Sequence, residues 1–120
     1  MGVVDDGRSG LAMLLSGSIT DRPYCCAIGS GSVAFSVLMS GLKAEVDRNV
    51  FSVVDASTPK FVTYTTDFSS IEMSGISLTE FGTFSSGASI SGTCWHREGF
   101  TSISFDGTNE LQVQATMRIT

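Results

Sequence analysis

The sequence predicts a mainly β fold, an antiparallel β-sandwich carrying a short N-terminal helix, and three observations lead to it. Leu111, Val113, Ala115, Met117 and Ile119 alternate with Gln112, Gln114, Thr116 and Arg118, the period of two that a half-buried antiparallel strand requires. Val62, Tyr64, Thr66 and Phe68 alternate in the same way with Thr63, Thr65 and Asp67. Ser and Thr make up about a quarter of the chain and Gly is plentiful, a composition that favours short strands and many turns. The 120 residues suit one domain with a single core. Residues 1–20 form its N-terminal helix or arm, and residues 21–120 form a β body of roughly six to eight strands.

The elements follow in order. Asp5 and Asp6 precede a run in which Leu11, Leu14 and Leu15 share one helical face, and Gly17 can end it. Acid at the start and glycine at the end are the polarity of a helix of two to three turns, and its leucine face is expected to dock on the sheet or on a partner. Asp21-Arg22-Pro23 turns the chain into an apolar strand over Tyr24–Ile28, and Gly29-Ser30-Gly31-Ser32 breaks it. Between Val33 and Val46 the spacing predicts a loop with one short helical turn. A strand over Asn49–Val54, a turn at Ala56–Pro59 and a strand over Val62–Phe68 come next, and Ser69 and Ser70 loosen the chain. The segments ISLTEFGTF and GTCWHREGFTSISF then pair, and Asp106-Gly107 supplies a tight reversal into the last strand, so the chain is expected to end in a β-hairpin.

Alternation through Ile76–Phe84 places Glu80 in phase with Ile76, Leu78, Gly82 and Phe84. A buried carboxylate needs a partner. Arg97 and Arg48 are the candidates, and the pair would set strand register; the alternative is a β-bulge that turns Glu80 to solvent. The aromatic residues Trp95, Phe81, Phe84, Phe100 and Phe105 read as sheet core; the functional alternative puts Trp95 or Phe81 on an outer face as an intersubunit anchor.

The chemistry-bearing motifs are weak. Gly29-x-Gly31-x-x-Ala34 follows an apolar run, with Asp47 near the distance of a ribose-binding carboxylate. That pattern binds dinucleotides only inside a parallel βαβ unit, and the later chain alternates like antiparallel strands, so no cofactor is expected. Cys94-x-His96 offers two ligands where structural zinc takes four, so no metal is expected either, and His96 reads as a surface or interface residue. No G-x-S-x-G nucleophile elbow is present, and no catalytic residue is assigned. Cys25, Cys26 and Cys94 are an odd set with two adjacent members, expected to be buried free thiols made in a reducing compartment. The net charge of −5 has no basic patch within it, which disfavours nucleic acid. The start MGVVDD is unlike a signal peptide, Asp6 argues against myristoylation of Gly2, and no apolar run approaches a membrane span.

The order of short motifs is more specific than any one of them. A Leu-rich opening ending LLSGS leads to PYCCAIGSGS, GLKAEVDRNVF, LTEFGTF and GTCWHREGF, then to the alternating C-terminal strand. This resembles a group of small structural proteins of tailed bacteriophages. Their members show a Tyr-led turn with Ala-x-Gly-x-Gly (here Tyr24 to Gly31), E-x-x-R (Glu45 to Arg48), E-x-G-x-F (Glu80 to Phe84) and G-T-x-x-x-R-x-x-F (Gly92 to Phe100). The Cys pair and the apolar stretch from Val33 to Gly41 depart from that pattern. The resemblance implies a non-enzymatic virion part, made in the bacterial host cytoplasm. It would assemble in symmetric copies on the head or tail, as decoration (cement), neck or tail component, against major capsid or tail proteins. The alternative is a receptor- or carbohydrate-binding tail-tip module. The expected assembly residues are Leu11, Leu14, Leu15, Arg48, Glu80, Phe81, Trp95 and Arg97.

Overall fold

The computed structural model describes residues 2–18, 22–31, 38, 40–87 and 92–118. They form strands β1 (Gly2–Val3), β2 (Cys25–Gly29), β3 (Glu45–Val50), β4 (Val53–Asp55), β5 (Phe61–Phe68), β6 (Ser77–Phe84), β7 (Cys94–Ser104) and β8 (Leu111–Arg118), with helices α1 (Asp5–Ser16) and α2 (Ser70–Met73). One sheet has the order β1-β7-β6-β2-β3 and the other β4-β5-β8. Every pairing is antiparallel. Cys26, Ile28, Leu78 and Phe81 from the larger sheet meet Phe68, Val113 and Ala115 from the smaller one, and Met73 of α2 closes that core. This is the β-sandwich with an N-terminal helix that the alternation predicts.

The outer face of the larger sheet is also apolar. Cys25, Ala27, Phe84 and Cys94 are buried there with Val4, and Leu42 packs against them. Two-sided burial explains why β2 reads as an unbroken apolar run rather than an alternating one.

Four local expectations change. The strand over Asn49–Val54 divides into β3 and β4, because the chain crosses at Phe51-Ser52 from one sheet to the other, where Ser52 N–H donates to Thr65 O at 2.8 Å. No terminal hairpin forms. The turn carrying Gly107 (φ 92°) likewise crosses between sheets, so β7 pairs with β6 and β8 pairs with β5. Ser69 does not loosen the chain. Its hydroxyl accepts from Glu72 N–H while the Glu72 carboxylate accepts from Ser69 N–H, the reciprocal capping box that starts α2. The expected loop from Val33 to Val46 gives way to β3 at Glu45; residues 33–37 and 39 lie outside the described residues, as does Ile119 at the end of the last strand.

The helix forms as predicted, and glycines on the same side as Leu11 and Leu14 make its contact with β7. Gly17 ends α1 in the left-handed conformation (φ 80°), its N–H donating to Leu14 O. The residues of α1 that are buried are Gly7 and Gly10, not leucines. A Cβ on Gly7 would lie 2.3 Å from the Trp95 carbonyl oxygen, and one on Gly10 would lie 3.1 Å from the indole ring. The helix backbone therefore rests directly on β7, and Leu15 is left 80% exposed. Gly7→Ala should lower the unfolding free energy by about 1–3 kcal/mol through overpacking, measured by denaturant titration; an unchanged midpoint would mean that α1 is not held at this distance.

Candidate functional site

The polar centre of the molecule is the carboxylate of Glu80, which is fully buried with Arg97. Its Oε2 accepts N–H bonds from Gly31 and Ala44, and its Oε1 accepts from Lys43 N–H and from Arg97 Nη2, each at 2.8 Å. The sequence fits this arrangement locally. Register shifts between Leu78 and Glu80, so Leu78 and Phe81 both face the intersheet core while Glu80 turns to the other face. Gly29 and Gly31 make room, since a Cβ on either would approach the Glu80 carboxylate within 2.7 Å. Burial raises the Glu80 pKa, but the backbone N–H groups of Lys43 and Ala44, the Arg97 guanidinium and the Gly31 N–H together outweigh it and leave it below the ordinary carboxylate range.

A second pair stands beside it. Arg48 donates through Nε to Glu45 Oε2 at 3.0 Å and through Nη1 to Ser86 O at 2.7 Å, and its guanidinium lies 4.4 Å from the centroid of Phe84. Residues three apart on a regular strand face opposite sides. The register shift between Ile28 and Gly29 opposite β3 brings Glu45 and Arg48 together.

The structure thus divides the residues predicted from sequence. It joins Glu80 to Arg97, gives Arg48 to Glu45 instead, and buries Phe81 and Trp95, which are not outer-face anchors: Phe81 packs between the sheets and Trp95 lies under α1. His96 is not at the surface either. It is 1% exposed, next to Phe81 across 6.0 Å, and neither ring nitrogen has a partner among the described residues. Burial pushes its pKa down to about 4 and pushes the thiols of Cys26 and Cys94 up to about 12 and about 11, so these free cysteines are held as protonated core residues. The Gly29-x-Gly31 turn leaves a strand paired antiparallel on both sides, which is not a dinucleotide cradle.

Leu11 and Leu14 remain near the surface and, with Val62 of β5 and Met117 of β8, line a groove of about 270 Å³ between α1 and the smaller sheet. Arg22 and Arg118 are its charged lining residues. No sequence period marks this groove, because its walls come from elements far apart in the chain. The sequence matches no protein-family model and no curated protein.

Two outcomes follow. Glu80→Ala would remove the buried ion pair with Arg97 and the acceptor for the N–H groups of residues 31, 43 and 44, so unfolding free energy should fall by roughly 3–5 kcal/mol; a loss below about 1 kcal/mol in urea titration would refute the anchoring role. The second concerns acid. The unfolded chain takes up a proton on His96 below its ordinary pKa of 6.5, while the folded chain resists until about 4. Stability is therefore full above pH 6.5 and falls through the window down to pH 4, by on the order of 3 kcal/mol. Glu80, whose folded pKa lies below 4.5, begins to lose its contribution only beneath that value. His96→Leu should flatten the stability profile between pH 4.5 and 6.5, and an unchanged slope there would exclude His96 as its source.

Proposed function

We propose that this chain is a non-enzymatic virion structural protein of a tailed bacteriophage, assembling in symmetric copies on the head or tail with major capsid or tail proteins as partners. The observation that carries the reading is where the four resembling motifs meet. Gly31 of the first donates to Glu80 of the third, Glu80 pairs with Arg97 of the fourth, and Glu45 and Arg48 of the second pair over Phe84 of the third. Residues that are scattered as short, degenerate patterns in the chain form one buried polar layer. Their spacing is thus a demand of the fold, which is the kind of signature that structural proteins of one architecture share without sharing chemistry.

The buried ionisable groups also favour a structural part. Glu80 is saturated by four donors, and His96 lies in the core without a partner among the described residues to orient it, so neither has the geometry of a general acid or base. The tail-tip alternative has less support, because the aromatic platform that Trp95 would offer to a sugar or receptor lies under α1.

Quantitative mass spectrometry of purified particles tests the reading through copy number. On the order of hundreds of copies would fit a decorating or tube-building role and about a dozen or fewer a neck or tail-tip ring; absence from the particle would refute it.

A further inference from the structure

We infer that the groove beside α1 is a socket for a second copy of this chain, and that the occupant is the exposed Ile71 of the neighbour's α2 with the carboxylates around it. This rests on the reading of the chain as a repeated structural subunit, and it names the contact that would repeat.

The socket comes first. Leu11, Leu14, Val62 and Met117 make an apolar groove whose charged lining residues are Arg22 and Arg118. Two guanidinium groups on a chain of net charge −5 make this a locally positive site. It calls for an apolar side chain with negative charge beside it. The apolar surface continues outward from the groove onto Leu15, which suits a protein surface better than a small enclosed ligand.

The same chain carries a matching knob. Ile71 is 86% exposed, the most exposed large apolar side chain among the described residues. The capping box fixes its one-turn helix, and Asn49 Nδ2 ties that helix down by donating to Glu72 Oε2 at 2.8 Å and to Asp67 O at 3.0 Å. Glu72 is adjacent in sequence, and the Asp47 carboxylate interacts with it. The knob is therefore rigid, apolar at its tip and acidic at its base.

Knob and socket lie at opposite ends of the smaller sheet. Strand β5 contributes Val62 and Tyr64 to the socket and ends with Phe68, two residues before α2. From Val62 the strand runs on to Phe68, a distance of about 20 Å. A patch that fits a different patch on the next copy is a heterologous contact, and its repetition builds closed rings or open filaments according to the rotation between copies.

Sedimentation velocity over a concentration series tests this with two variants, Ile71→Lys to remove the knob and Arg22→Glu with Arg118→Glu to reverse the socket. All three positions are exposed, so folding should survive, which thermal unfolding of each variant would verify. Wild-type protein should associate beyond a dimer, and each variant alone should associate roughly tenfold more weakly or worse. An equimolar mixture should form a one-to-one pair and stop there, because only one intact knob meets one intact socket. Wild-type protein that stays monomeric throughout, or a mixture that fails to pair, would overturn the contact. Variants that assemble like wild type would also overturn it, while leaving self-association in place. Copy number in the particle judges the virion reading separately.

Discussion

A carboxylate removed from water must be repaid in hydrogen bonds, and in this protein that constraint falls on Glu80. An ion of this kind costs several kcal/mol to bury, and the full set of donors around its oxygens offsets that cost. The consequences spread through the fold. Gly31, Lys43 and Ala44 must lie against the outer face of the larger sheet, glycine must stand at positions 29 and 31, and β6 must shift register to aim the side chain outward while Phe81 still faces the core. Arg97 is needed in turn on the neighbouring strand. The Arg48–Glu45 pair extends the same polar layer toward Phe84.

Because the outer face of the larger sheet is closed by that layer and by α1, the exposed apolar groups are displaced to the periphery. The helix approaches β7 through glycines, so Leu11 and Leu14 on the same side are not needed to fill space over that strand. They flank a groove instead, at the end of the smaller sheet opposite α2. The close approach that stabilises the helix is thus also what leaves an apolar surface to be covered, and large exposed apolar patches on a folded chain are commonly sites of association.

The period of two in Leu111–Arg118 and Phe61–Phe68, the acidic start and glycine stop of α1, and the anomaly of a carboxylate in phase with apolar neighbours are all local facts, and the strands, the helix and the buried Glu80 were legible from them. The capping box at Ser69–Glu72 was equally local, and S-x-x-E read as a helix start would have found α2. What sequence alone determined is therefore which segments are strands or helices and which polar group must find partners, since backbone periodicity and burial cost act residue by residue. Which strands pair, that the Asp106-Gly107 turn crosses between sheets instead of closing a hairpin, that glycines rather than leucines carry α1, and that His96 lies inside were decided only by tertiary structure. Each depends on the distance between elements that no spacing along the chain encodes.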